Sequence, residues 1–372
     1  MNWQFIVTGL FVLLVLVYIY PRLAHPFWSK QPVYHWWDVS LWSVSGRIIR
    51  DEAPLINCYV DVVRGKTVPV LSIPNETKKA VTTLIGRNYL RSESVNYEPT
   101  EDAIFDYLSS KSALVTTWND NRGLHGVLTS RPLEANLPSV GNCIVGYVDN
   151  LTVKKGSRKK GIAPRLIQTY LHQAHELNPN WKVHFFKREG STNPTVPLTT
   201  YNTYYYYGYQ LNSPSTNISM AADKDLNDVF QALWEDFSKH DLNVCLGQSE
   251  LLKLVNCQRV YVLKSTRADG MVEGALLVRN VPSYDKERRS LLEVMYFLPM
   301  NPSASEPVIY SSLLTGLGLI HDNFVFSVER VGRLAGDCCS LTIKPYSQCT
   351  MSYFFYNYAC QTMDANKCAI LV

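Results

Sequence analysis

Apolar and polar positions alternate along this chain in a pattern that predicts a mixed α/β protein. Amphipathic runs with helical spacing cover about 76–89 and the stretch after Pro99. Two strand-like runs at 113–117 and 126–129 then flank a polar turn, which is a hairpin signal. A long strand at 143–153, a helix at 164–177 and a strand at 181–186 complete the first half.

The second half repeats this order of elements. The pattern predicts a helix at 225–237, strands at 259–264, 274–279 and 290–298, a helix at 307–321 and a strand at 324–328. Two further strand-like runs, 351–356 and 369–372, close the chain. The similar order predicts a duplicated fold, although no repeat is visible residue by residue.

The amino-terminal segment has a different character. Residues 5–20 are almost wholly apolar and nearly long enough to cross a membrane. A cleaved signal peptide is the alternative, but no basic residue precedes the run. Arg22, His25 and Lys30 follow it, so the positive-inside rule favours a single-pass anchor with the globular part in the cytoplasm.

Composition narrows the function only slightly. The 372 residues carry a net charge of +4, which is too small an excess to indicate nucleic-acid binding. Nine cysteines occur without zinc-finger spacing, so we expect reduced thiols and no metal site. We divide the chain into an anchor (1–23), an extended arm (24–75), a first α/β half (76–215) and a second half (216–372), and we expect a monomer.

The most informative stretch links the strand that ends at Val153 to the helix near Pro164. Backbone N–H groups at the start of a helix are unsatisfied and form an anion-binding site. Arg158, Lys159 and Lys160 add positive charge there, and Gly161 leaves room for close approach. Cations at a helix start oppose the helix dipole, which favours a bound anion over a merely solvated turn.

These residues resemble a known acyltransferase signature. Arg158-x-x-Gly161-x-Ala163 is similar to the pyrophosphate motif of the GNAT superfamily, and the aromatic run at 204–209 resembles the aromatic-Gly-aromatic segment that ends its domain. The run at 151–164 more closely resembles the N-myristoyltransferases, as do Tyr34-His35-Trp36-Trp37-Asp38, Asn88-Tyr89 and the terminal segment at 353–367. The resemblance runs in order from about residue 31 to the end of the chain.

The resemblance implies two fused GNAT-like folds behind a transmembrane helix, and myristoyl-CoA or a similar acyl-CoA as co-substrate. It implies direct acyl transfer to the N-terminal glycine of a peptide. The backbone N–H groups of Asn150 and Leu151 would hold the oxyanion, and the Val372 carboxylate would act as base. The implied acyl-CoA-binding residues are Tyr34, His35, Trp36, Trp37, Thr152, Val153, Arg158, Lys159, Lys160, Gly161, Ile162 and Ala163. The implied peptide-binding residues are Asn88, Tyr89, Tyr206 and Asn357.

The chain also departs from the family pattern. The peptide-lid segment at 90–94 carries one acid where the family has several, and the tail is about one residue shorter. Two alternatives therefore stay open. One is a generic GNAT N-acetyltransferase acting on an amine. The other is an inactive membrane-anchored protein that binds acyl-CoA or an acylated peptide without turnover.

Overall fold

The fold is described from a computed structural model, which covers residues 3–39, 42, 45–54, 56–89, 95–190, 195–213 and 217–372. The predicted lid segment at 90–94 therefore lies outside the described residues. The α-helices of the described part are α1 (Trp3–Ala24), α2 (Asn75–Asn88), α3 (Glu101–Phe105), α4 (Ile162–Leu177), α5 (Asp223–Phe237), α6 (Gln248–Asn256) and α7 (Glu306–Thr315).

The strands lie between these helices. The first nine are β1 (Arg47–Ile48), β2 (Gly65–Pro69), β3 (Val95–Tyr97), β4 (Leu114–Asp120), β5 (Gly123–Leu137), β6 (Gly141–Val153), β7 (Val183–Glu189), β8 (Thr199–Tyr207) and β9 (Ile218–Met220). The others are β10 (Leu242–Cys245), β11 (Val260–Thr266), β12 (Val272–Asp285), β13 (Ser290–Pro299), β14 (Phe324–Glu329), β15 (Ser347–Tyr356), β16 (Tyr358–Ala359) and β17 (Cys368–Leu371).

One large mixed sheet organises the molecule. Its main path runs β17-β10-β5-β6-β7-β15-β8-β14-β13-β12-β11-β9, and β2, β3 and β4 bring it to 15 strands. The pair β6/β7 is parallel and is connected through α4, while β13/β14 is parallel and is connected through α7. This repetition confirms the predicted mixed fold and the duplicated order of its halves.

The last strand returns to the first half of the sheet. β17 pairs in parallel with β10, and β10 pairs antiparallel with β5. The sequence pattern predicted β17 but missed β10 and α6, which are short. The predicted extended arm contains one strand of the main sheet, β2, which pairs with β4.

Helix α1 stands apart from the core. Its 22 residues have a mean hydropathy of 2.1 over the most apolar window, and none of that window is buried. By length and composition it is long enough to cross a membrane, and a signal sequence would have the same properties. In the second half of the chain, by contrast, α5 buries Leu226, Phe230 and Leu233 against the sheet.

A buried histidine behind α4 predicts a pH dependence of stability. His184 on β7 contacts the Tyr170 hydroxyl at 3.0 Å, and a Cβ atom at Gly146 would lie only 2.7 Å from its Nδ1. Burial, with a smaller effect of His175, lowers the pKa of His184 to about 3. An unfolded histidine titrates near ~6.5.

Because the folded pKa is the lower one, the stabilisation is complete above the unfolded pKa and is lost as the pH falls through 6.5 toward 3. We expect the free energy of unfolding to drop by about 2 kcal/mol between pH 7 and pH 5 from this group. Urea denaturation at both pH values measures the drop. His184→Gln should reduce it, whereas His25→Gln should leave it unchanged; an equal pH slope in all three proteins would contradict the assignment.

Candidate active site

The predicted site is built on an irregularity between β5 and β6. Val127 faces Thr152 and Thr129 faces Asp149, so Leu128 lies opposite both Asn150 and Leu151. Asn150 has φ +51°, in the left-handed region, as expected at a bulge. Bulges interrupt the regular hydrogen-bond ladder, which is how a strand interior can offer backbone N–H groups to a ligand.

The N–H of Asn150, however, has an internal acceptor. It donates to Oδ1 of Asp149 at 2.7 Å. The Asn150 side-chain amide donates to the Thr129 hydroxyl at 3.1 Å, and that hydroxyl donates to the Asp149 carbonyl oxygen at 3.2 Å. A ligand oxygen can use the Asn150 N–H only after the Asp149 carboxylate moves, which sequence reasoning did not foresee.

The basic turn after β6 has the features of an anion site. Gly161 is the N-cap of α4 with φ +71°, and a Cβ atom there would meet no atom within 4 Å. Helix α4 begins two residues earlier than predicted, so Ile162 and Ala163 belong to its first turn. The surrounding cations are exposed and none forms an ion pair with a described residue: Lys154, Lys155, Arg158, Lys159 and Lys160.

Arg158 has a structural role in this turn. Its Nε donates to the Val153 carbonyl at 3.2 Å and its Nη2 donates to the Asn88 carbonyl at 2.7 Å. The Asn88 side chain also accepts the N–H of Lys155 at 2.9 Å. Asn88, predicted to bind the peptide, therefore ties the end of α2 to the basic turn. The ammonium groups of Lys154, Lys155, Lys159 and Lys160 contact no described residue, and Lys159 and Lys160 lie nearest in sequence to the start of α4.

A second support of the turn was not predicted. His125 is buried; its Nδ1 lies 2.7 Å from the Ser157 hydroxyl and its Nε2 lies 2.8 Å from the Asp120 carboxylate. Hydrogen bonds, first from the Arg122 N–H and then from His125, lower the pKa of Asp120. Asp120 accepts from Nε2, so Nδ1 of a neutral ring accepts the Ser157 proton. Sequence reasoning missed this cluster because Asp120 and Ser157 are far apart in the chain.

The arm after α1 is folded around His35. The ring of this buried residue contacts the Asp38 carboxylate and the Trp28 carbonyl, each at 2.9 Å, and stacks on Trp37 with centroids 4.5 Å apart. Tyr34 accepts the Val196 N–H at 2.7 Å through its carbonyl. Trp36 is 44% exposed, so it has the most surface for a ligand among the predicted residues Tyr34, His35, Trp36 and Trp37.

Two of the predicted peptide-binding residues lie elsewhere. Tyr206 is packed in the core of the second half, stacked on Phe326. The Asn357 side chain donates to the carbonyls of Arg50 and Lys182 and accepts the Arg50 N–H, each at 2.8 Å. Its three hydrogen bonds are all to backbone groups, so Asn357 anchors the arm.

Tyr89 does lie beside the bulge. Burial, and next the charge of Asp149, raise the pKa of its hydroxyl. Deeper between the halves, Lys187 forms an ion pair with Glu329, which also accepts the hydroxyl of Tyr201 at 2.9 Å. The seam between the halves is therefore lined with tyrosines and paired charges, which sequence reasoning missed.

The chain terminus is inside the protein. Val372 is 6% exposed and belongs to the same apolar cluster as Leu133 and Tyr147. The Leu246 N–H donates to the Leu371 carbonyl at 3.0 Å, which fixes the end of β17. A carboxylate at this position is withdrawn from bulk water. Among the described residues no group of three His, Cys, Asp or Glu side chains is placed to hold a metal ion.

Comparison with known proteins gives a match by structure alone. No family model matches the chain, and no curated protein matches its sequence. Three solved structures of Saccharomyces cerevisiae N-myristoyltransferase do match, with TM-scores of 0.71, 0.72 and 0.73 and sequence identities of 13%, 12% and 12%. Each match covers 92% of this chain and 90–94% of the other, and all three structures hold myristoyl-CoA. The expected architecture is thereby confirmed: this chain has the N-myristoyltransferase fold.

Proposed function

We propose that this protein transfers a myristoyl or similarly long acyl group from acyl-CoA to the N-terminal glycine of a peptide or protein. The observation that supports the proposal is the pairing of a strand bulge at Asn150 with an exposed, unpaired basic turn at the N-terminus of α4. Proteins with this fold have been solved with myristoyl-CoA bound. Trp36 and the turn would hold the CoA moiety.

The proposed reaction proceeds without a covalent enzyme intermediate. The diphosphate binds the first N–H groups of α4 together with Lys159 and Lys160. The thioester oxygen accepts hydrogen bonds from the N–H groups of Asn150 and Leu151. The Val372 carboxylate accepts a proton from the glycine ammonium, and the amine nitrogen then bonds to the carbonyl carbon. The C–S bond breaks and CoA leaves as a thiolate, which takes up the proton that the nitrogen loses as the amide forms.

A second candidate, acyl-CoA binding without turnover, is favoured by one observation: the Asn150 N–H is already occupied by Asp149. In either case α1 would anchor the protein as a single membrane span with the α/β halves in the cytoplasm. Tethering of this kind raises the effective concentration near membrane-bound substrates. In sequence, the boundary between the halves would fall between residues 215 and 216. The protein would act as a monomer and would not bind nucleic acid.

Acyl-CoA binding is tested by neutralising the free cations of the turn. The variant Lys159→Gln/Lys160→Gln removes two charges that make no structural contact with a described residue. We expect Kd for myristoyl-CoA, measured by calorimetry, to rise at least ~10-fold, because each lost phosphate contact removes a charge-assisted hydrogen bond. Adding Arg158→Gln should weaken binding further by loosening the turn.

The matched control neutralises three exposed lysines of the second half, Lys224, Lys253 and Lys286. It lowers the net charge by as much as the full turn variant does, so it reports any general electrostatic effect. Equal affinity of the turn variant and the control would contradict the proposal. Turnover is tested separately, by mass spectrometry of a glycine-initiated peptide incubated with acyl-CoAs of graded chain length.

A further inference from the structure

A buried arginine near the bulge forms no ion pair with a described residue. Arg131 on β5 is 4% exposed, and its guanidinium lies 5.0 Å from the ring centroids of both Tyr107 and Tyr147. Its Nε is buried without a hydrogen-bond partner, and no ion pair joins it to a described residue. An unpaired buried cation is costly, so a protein that keeps one has a use for an anion at that place.

The other charges in the seam are already paired. Lys187 pairs with Glu329, and Arg279 pairs with Glu293 at 3.5 Å. Asp149 is different: among the described residues its carboxylate has no cationic partner within ion-pair distance, and its hydrogen-bond donors are the Asn150 N–H and the Tyr89 hydroxyl. Arg131 and Asp149 are therefore an unpaired cation and an unpaired anion in neighbouring positions.

Strand register shows how close they are. Arg131 faces Tyr147 and Thr129 faces Asp149, so Arg131 and Asp149 are diagonal neighbours on one face of the β5/β6 ladder. Diagonal neighbours have Cα atoms ~7–8 Å apart, a gap that a long arginine side chain can close. A rotation of the Asp149 side chain away from Asn150 therefore brings its carboxylate within reach of the Arg131 guanidinium.

We propose that the Asp149 carboxylate has two positions, one on the Asn150 N–H and one on the Arg131 guanidinium, and that thioester binding moves it from the first to the second. The inference rests on the proposed function, because the thioester oxygen is what displaces the carboxylate. In the first position the oxyanion site is closed. In the second it is open, and the negative charge is held by Arg131 rather than beside the developing oxyanion.

The arrangement makes Arg131 and Asp149 positioning residues. A ligand shifts such an equilibrium only through a contact that differs between the two states. Here that contact is the thioester carbonyl, since the diphosphate and the acyl chain bind away from Asn150. Only a ligand that carries this carbonyl should therefore have an affinity that depends on whether the Asp149 carboxylate can move away from Asn150.

The test compares two ligands that differ in this carbonyl, myristoyl-CoA and its thioether analogue S-tetradecyl-CoA. The ratio of their dissociation constants is measured by calorimetry in the full chain. Arg131→Met leaves the Asp149 carboxylate without its second position. The preference for the thioester should then fall about fivefold, which is the change in affinity that the loss of one net hydrogen bond produces. Arg131→Gln serves as a second variant if Arg131→Met fails to fold.

Combining the Arg131 variant with a variant of Asp149 separates this positioning role from a merely structural one. In an Asp149→Ala background no carboxylate blocks Asn150, so adding Arg131→Met should leave the thioester preference unchanged. Arg288→Met, which removes an exposed partner of Glu98, is the control and should not alter the ratio in either background. Thermal unfolding confirms that each variant is folded.

The outcomes are distinct. The inference is overturned if Arg131→Met leaves the ratio unchanged in the wild-type background, or lowers it equally in the Asp149→Ala background. Either result would leave the proposed function standing, because both ligands would still bind. If neither ligand binds the unmodified protein, the proposed function and the two-position carboxylate fall together.

Discussion

Converting the C-terminal carboxylate of Val372 to a carboxamide is expected to lower kcat for acyl transfer at least ~100-fold, the usual contribution of a positioned general base. The substituent is nearly the same size, so the packing of β17 against β10 should persist. Burial disfavours a charged carboxylate, and that raises its basicity toward the range useful at neutral pH. The affinity for acyl-CoA should not change, because the basic turn lies on another element.

The chain offers a traceless way to make this protein. Cys368 is the first residue of β17, so residues 1–367 carried as a thioester can be ligated to a synthetic peptide that covers 368–372. The same ligation with a free carboxylate gives the matched control. Turnover of the carboxamide protein at the control rate would show that the base lies elsewhere, and Asp149, which contacts the bulge, would be the next acid to test.

The largest loss of stability is expected from Asp236→Asn. This carboxylate is 3% exposed, accepts the Tyr296 hydroxyl at 2.8 Å and pairs with Arg333 at 2.7 Å. Burial alone would raise the pKa of Asp236, but the hydrogen bonds from Arg333 and Tyr296 lower it. Removing one partner of a buried ion pair leaves the other uncompensated and costs about 3–5 kcal/mol.

Arg333 retains a contact with Glu306 at 3.3 Å and is partly exposed, so we expect the lower end of that range. Urea denaturation of Asp236→Asn measures the loss. Asp228→Asn is the control, since Asp228 is exposed on the same helix α5 and should change the free energy of unfolding by less than ~0.5 kcal/mol. Similar losses in both variants would mean that the Asp236–Arg333 pair does not stabilise the second half.

Elements with a strong local pattern could be predicted from the sequence. The apolar stripe of α4, the long strand β6 and the order of elements in both halves correspond to what the structure shows. The short strand β10 was missed because four residues carry little periodicity, and its pairing with the predicted β17 joins distant parts of the chain. Propensity reports what a segment can form, while only tertiary contacts decide which segments meet.

The candidate site likewise has a part that the sequence predicted and a part that only the structure reveals. The basic turn lies within one continuous stretch, so its residue pattern could be recognised in the sequence. The N–H groups of Asn150 and Leu151 were assigned by resemblance, and the bulge at Asn150 was not predicted. The Asp120–His125–Ser157 hydrogen bonds and the unpaired Arg131 depend on register between strands, which no single stretch encodes. Tyr206 and Asn357 were assigned by resemblance. Tyr206 lies on a buried face of β8 and stacks on Phe326, whereas Asn357 lies between β15 and β16 with φ +65° and bonds to backbone groups of the arm.

The return of β17 to β10 also constrains biosynthesis. The edge strand β17 follows the whole second half in the chain, so it is synthesised long after β5 and β6. N-terminal domains usually fold during synthesis. Helix α1 precedes both halves in the chain, so it is synthesised while the first half still lacks this edge. The edge is completed only after the second half has been made, and products that end before Cys368 would leave one side of β10 unpaired.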